Sequence, residues 1–120
     1  MSGLLHKLFS SRPQATPEQA RDLQRHGAVL PDVRENGEWR AGHAPGAKHV
    51  PLHRLPAQLA ALPSRRIVVT ICRSGHRSAR AAALLASHGR EVVNLTGGMR
   101  AWARAGLPVV TADGRPGQVV

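Results

Sequence analysis

The run "RRIVVTI", residues 65–71, limits what this chain can fold into more than any other stretch. From Ile67 to Ile71 it is unbroken β-branched sequence, and continuous rather than alternating apolarity marks a strand covered on both faces. Strands of that kind belong to parallel sheets with helices packed on either side. The following "CRSGHRSARAAALLASHG" turns this strand into an Ala-rich helix, expected over Ser78–His88 and stopped by Gly89.

The rest of the chain alternates in the same way. "ATPEQARDLQRHG" reads as a helix marked at both ends: Thr16 as N-cap, Pro17 in the first turn, Gln19 completing a capping box and Gly27 as the stop. "AVLPDVR" reads as a strand ending near Asp32, although Pro31 cannot donate a ladder hydrogen bond. A short strand around Ala47–Val50 is stopped by Pro51, and "HRLPAQLAALP" is a short helix closed by Pro63. "EVVNL" is the next strand, Gly97 and Gly98 make a turn, and "RAWARA" is a short helix ended by Gly106. Alternation predicts parallel pairing through right-handed crossovers. The expected fold is therefore α/β, a three-layer sandwich around a central, mostly parallel sheet of about five strands. A chain of 120 residues suffices for one such domain. It is expected over residues 13–110, between an N-terminal extension, 1–12, and an exposed C-terminal tail, 111–120. In the extension Leu4, Leu5, Leu8 and Phe9 would share one side of a short helix.

Composition narrows the setting. Phe9, Trp39 and Trp102 are the only aromatic residues with large rings, so the core is built from Leu, Val, Ile and Ala. A single cysteine cannot form an internal disulfide, which suits a reducing, cytoplasmic compartment. "MSGLLHKLF" lacks the features of a signal peptide, and no run approaches the ~20 apolar residues of a membrane span. The net charge is +10, and no acidic residue occurs between Trp39 and Arg90. Such a field favours an anionic ligand or partner, though many of these arginines are equally well read as ordinary surface. Nucleic acid would be attracted non-specifically, but the aromatic platforms for reading single strands are missing.

The chemistry concentrates on Cys72. It stands at the C-terminal end of the central strand, where open parallel sheets bind ligands. The residues after it, Arg73, Ser74, Gly75, His76, Arg77 and Ser78, enter a helix whose free N–H groups and partial positive charge face the sulfur. Arg73 and Arg77 add full charges, and His76 is either a further charge or a plain surface residue. Gly75 permits a tight turn. Ser74 and Ser78 have hydroxyls to offer an anion, with Ser78 better read as a helix cap. Such surroundings depress a thiol's pKa, and reactive thiols sit in electropositive, partly open sites. Asp32, at a neighbouring strand end, would brace the loop or pair with an arginine, and Arg34 would face the mouth or the solvent. His43 reads as a hydrogen-bonded turn residue. His49 and His53 have no ligand pattern around them, so no metal site is expected. Trp102 is read as core, and Trp39 as pocket rim or packing.

Four segments in order, "DVRENGEW", "GHAPGAKHVP", "CRSGHRS" and "LTGGMRAWARAGLPV", resemble the rhodanese-like sulfurtransferase superfamily in its single-domain form. The resemblance covers about residues 14–110, with Ala44 in place of a usual branched residue and Pro31 in place of an aliphatic one. It implies that Cys72 takes a sulfane sulfur from thiosulfate or a similar small anionic donor, carries it as a persulfide and passes it to cyanide or a thiol acceptor, a protein thiol included. Loop amides from Arg73 to Ser78 would hold the donor, Arg73 and Arg77 would stabilise departing sulfite, Asp32 would be structural, and no metal or organic cofactor is implied. Loop-cysteine phosphatases and arsenate reductases resemble the same fold, but need a cysteine followed by five residues and then arginine to wrap a tetrahedral oxyanion. Here arginine comes one position too early, at Arg77. A carrier or partner-docking module with negligible turnover is the remaining alternative.

Overall fold

A computed structural model describes residues 13–120. The expectation for the apolar side of residues 1–12 lies outside the described residues. Among the described residues there are five strands: β1 Gln14–Ala15, β2 Pro31–Asp32, β3 Lys48–His49, β4 Val68–Thr70 and β5 Val92–Leu95. Five α-helices accompany them: α1 Pro17–Arg25, α2 Asn36–Ala41, α3 Leu55–Gln58, α4 His76–Ser87 and α5 Gly98–Arg104. Short 3₁₀ turns, Leu52–Arg54 and Leu59–Ala61, flank α3.

All strand pairing is parallel: β1–β5–β4 form one ladder and β2–β3 another. The two ladders are joined only by single bridges, Val29 to Val68 and Asp32 to Ile71. The cause is Pro31. Val29 and Val33 donate to β4-side carbonyls at 2.9 and 2.8 Å, while Pro31 between them accepts from Ile71 but has no N–H to give. The expected single sheet is thus a three-stranded and a two-stranded piece held edge to edge.

Burial follows the period of two along β4. Val68 points into one apolar cluster with Leu55, Leu62, Ala81 and Leu85. Val69 and Ile71 point into the other, with Ala20, Met99 and Trp102. Helix α4 covers the first face and α1 with α5 the second, which gives the three layers. Small side chains at Ala81 and Ala82 bring α4 close to the sheet, and each large aliphatic side chain buried here contributes roughly 1.5–3 kcal/mol. Trp102 is fully buried, and its indole N–H donates to Pro108 O at 2.7 Å.

Local signals located α1 well. Gln19 N–H donates to the Thr16 hydroxyl at 3.2 Å, and Thr16 N–H to Gln19 Oε1 at 2.9 Å, a complete capping box. Helix α2 was not expected; it starts after Glu35, whose N–H donates to Glu38 Oε1 at 3.0 Å. Helix α4 starts at His76, two residues before its expected start at Ser78. The expected tail is mostly exposed but tied down: His43 and Val110 exchange backbone bonds at 2.9 Å, and Gln118 N–H donates to Ala41 O at 2.8 Å. Among the described residues no helix is long and apolar enough to cross a membrane.

Candidate active site

Strand β4 delivers Cys72 to the C-terminal edge of the sheet, and α4 begins only four residues later. A loop this short needs Gly75, whose φ of +117° lies where a side chain is disfavoured. Its N–H donates to Cys72 Sγ at 3.0 Å. The Ser78 hydroxyl lies 3.2 Å from the same sulfur. Ser78 is fully buried and sits inside the first turn of α4 while Gly75 holds the N-cap position, so the expected cap is in fact a sulfur ligand.

The nest is closed from behind by α5. Met99 N–H donates to Cys72 O at 2.8 Å and Arg100 N–H to Arg73 O at 3.1 Å. Those bonds require close contact at Gly98, where a Cβ would lie 2.5 Å from the Arg73 carbonyl carbon. The pair Gly97–Gly98, read from sequence as a turn, is also the seat of the cysteine loop.

Burial pushes the Cys72 thiol up, but hydrogen bonds from the Ser78 hydroxyl and from the amides of Ser78, Gly75 and Ser74 outweigh it and hold the pKa below its ordinary value. The expected partly open thiol is corrected: Cys72 is 1% exposed and borders an apolar cluster. The same donors that stabilise the anion cover it. That cover is itself exposed to solvent at Arg73, Ser74 and His76.

Arg77 is not a free cation over the sulfur. It forms a bidentate pair with Glu38, Nη1 to Oε1 at 2.7 Å and Nη2 to Oε2 at 2.8 Å. The Arg77 guanidinium bonded to Glu38 holds that carboxyl down at about 2. Arg77 is raised in turn, first by this bond, with the Cys72 charge a further attraction. Glu38 escaped the sequence reading: it is the last acid before the acid-free interval, but it lies 39 residues from Arg77 and carries no local signal of the pairing.

Asp32 and Arg34 are both fully buried and paired with each other. Arg34 Nε lies 2.9 Å from Asp32 Oδ1, and Nη2 lies 2.8 Å from Oδ2 and from Gly42 O. Asp32 therefore takes the arginine-pairing role rather than bracing the cysteine loop, and Arg34 faces neither the mouth nor the solvent. The sheet closes over the pair and leaves Arg34 Nη1 buried without a hydrogen-bond partner among the described residues. His43 is the expected turn residue, its Nδ1–H donating to Trp39 O at 2.8 Å. Trp39 packs: its ring stacks on His43 at 3.6 Å and on His49 at 4.9 Å. A depression of about 420 Å³ lined by Leu23, His26, Arg65 and Arg66 opens beside the N-terminal end of β4, away from the sulfur.

A cysteine at the end of a central parallel strand, cradled by the first turn of the next helix, has its counterpart among known proteins. The family model for the rhodanese-like domain matches residues 16–105. The chain belongs to the rhodanese-like domain family. A sulfurtransferase of Allochromatium vinosum is 44% identical over 87 residues, which cover 72% of this chain and 81% of that one. The thiosulfate sulfurtransferase GlpE of Stutzerimonas stutzeri is 38% identical over 87 residues, covering 72% of this chain and 80% of the other. Among solved structures, a rhodanese-related protein of Thermoplasma volcanium superposes with a TM-score of 0.76 at 26% identity, over 82% of this chain and 97% of that one. In this rhodanese-like domain Gly75 and Ser78 of the sequence-named loop meet the Cys72 sulfur, Arg77 turns to Glu38, Arg73 and His76 are exposed, and Asp32 and Arg34 form a separate buried pair.

Proposed function

We propose that this rhodanese-like domain is a sulfurtransferase working through a Cys72 persulfide. The observation that carries the proposal is the sulfur's surroundings: an amide at 3.0 Å and a hydroxyl at 3.2 Å, set where a helix N-terminus adds positive potential. Its relatives named as sulfurtransferases support the same assignment. In the first step the Cys72 thiolate attacks the outer sulfur of thiosulfate. The new bond is Sγ–S, the donor's S–S bond breaks, and sulfite leaves with the electron pair. In the second step cyanide or an acceptor thiolate attacks the outer sulfur, and the Cys72 thiolate leaves. This is covalent catalysis divided between two displacements, with fixed donors aimed at the sulfur that gains charge.

The loop residues share the work in this scheme. The amides of Ser74, Gly75 and Ser78 and the Ser78 hydroxyl hold the thiolate and then the persulfide. Arg73 and His76, exposed at the mouth, draw in the donor dianion, and Arg73 and Ser74 move aside to admit it. Arg77, tied to Glu38, contributes field rather than a free hand. Asp32 and Arg34, paired with each other and, through Arg34, with Gly42 O, are assigned a structural role in this scheme.

The experiment is thiocyanate release from thiosulfate and cyanide by the protein and by Cys72→Ser. Release is expected from the first and none above background from the second, and equal rates would remove Cys72 from the mechanism. Intact mass after thiosulfate treatment separates enzyme from carrier: a gain of one sulfur without turnover would favour a persulfide carrier that needs a partner to unload it.

A further inference from the structure

Ser78 has one hydroxyl proton and two acceptors in reach: Cys72 Sγ at 3.2 Å and Gly75 O at 3.2 Å. A hydroxyl donates once, so the choice of acceptor decides whether the sulfur is held by this group at all. The Gly75 carbonyl has two lone pairs to offer. Ala79 N–H takes one at 3.1 Å, as the first helical bond of α4. Asn94 Nδ2 takes the other, also at 3.1 Å.

Asn94 reaches this carbonyl from β5 and is 3% exposed. Its amide is oriented from the far side, where the Thr70 hydroxyl has Asn94 Oδ1 at 3.1 Å and its other acceptor, Val93 O, at the longer 3.4 Å. Oδ1 thus faces a donor and Nδ2 faces Gly75. Thr70 is fully buried on β4, two residues before the cysteine. A polar chain runs from Thr70 through Asn94 to Gly75, between two strands that otherwise bury apolar groups.

We propose that Asn94 is a positioning residue of the Cys72 site: by filling the second lone pair of Gly75 O, it commits the Ser78 proton to the sulfur. With Asn94 in place, donation to Gly75 O would crowd a carbonyl that is already saturated. Without it, that carbonyl is an open neutral acceptor competing for the one proton. Among the groups that hold the Cys72 thiol down, the Ser78 hydroxyl is the strongest, so control of this proton matters to the sulfur. The role rests on Cys72 as the reacting group, as proposed above. It extends the site to a residue on another strand that does not itself touch the sulfur.

The test is the pH profile of Cys72 alkylation by iodoacetamide, followed by intact mass. It reads thiol ionisation whether or not sulfur is transferred, so its failure is distinct from failure of the proposed function. Asn94→Leu and Ser78→Ala are each expected to move the midpoint to higher pH and to slow alkylation at neutral pH by about tenfold, the loss set by one hydrogen bond to a charged sulfur. Since Asn94 acts through Ser78, the double variant is expected to match Ser78→Ala alone. A merely structural asparagine would not give that coincidence. Thr70→Val, which removes the group orienting the amide, is expected to shift the profile in the same direction by less. A wild-type profile in Asn94→Leu, or additive shifts in the double variant, overturns the assignment. Should Asn94→Leu not fold, a wild-type profile in Thr70→Val does the same.

Discussion

Gly98→Ala tests how the cysteine loop is seated. Gly98 has a φ of +60°, and a Cβ built there would fall against the Cys72 carbonyl oxygen and 2.5 Å from both the carbonyl carbon and oxygen of Arg73. Alanine in a left-handed conformation costs roughly 1–2 kcal/mol. Relieving the overlap moves backbone, not a flexible side-chain end, and overpacking of that kind costs roughly 1–3 kcal/mol more. The total is roughly 2–5 kcal/mol. The bonds that must give are Met99 N–H to Cys72 O and Arg100 N–H to Arg73 O, so the strain lands on the loop that aims the Gly75 amide and the Ser78 hydroxyl at the sulfur. Gly89→Ala is the control: its φ is +78° but nothing lies within 4 Å of the added carbon, so it bears the conformational cost alone. Thermal unfolding and the alkylation rate of Cys72 at neutral pH are measured on both. At roughly 3–6 °C of Tm per kcal/mol for a domain of this size, Gly89→Ala should lose a few degrees and keep the wild-type rate. Gly98→Ala should lose two to three times as much, with slower alkylation. Equal Tm losses, or an unchanged rate in Gly98→Ala, would refute the view that close contact with α5 seats the loop.

Two further outcomes are expected. Arg34→Met leaves Asp32 charged and unpaired in a dry site and should destabilise the fold by about 3–5 kcal/mol, whereas Asp32→Leu combined with Arg34→Met should recover much of the loss; denaturant unfolding of both variants checks this. Glu38 titrates at about 2 in the folded protein against an ordinary 4.5, so its bond to Arg77 stabilises fully above pH 4.5 and is lost as the pH falls toward 2. With the Arg77 side chain 34% exposed, solvent screening limits this to about 1 kcal/mol. Glu38→Gln should flatten that part of a Tm-against-pH curve and leave the part above pH 5 parallel to wild type.

Interactions within a few residues were legible from the amino-acid order alone. The Thr16–Gln19 capping box, the doubly buried β-branched strand and the glycine-bearing turn after Cys72 are local, because propensity, capping and side-chain period act over one or two turns of chain. The ordered motifs around the thiol carried the family in the same way. Pro31 was visible as an obstacle to a regular strand, but a single sheet was expected, and only the packed strands show the sheet in two pieces.

Tertiary structure decided everything that depends on what distant segments bring. Glu38 reaches Arg77 across 39 residues, and Asn94 reaches Gly75 across 19, so neither partnership has a local signature. The burial of Asp32 and Arg34 follows from β2 docking beside β4, and the binding of residues 110–118 follows from carbonyls that Ala41 and His43 leave free at the domain edge. Sequence placed the thiol among donors and charges; only packing set how deeply those donors cover it, because coverage is the sum of contacts from elements far apart along the chain.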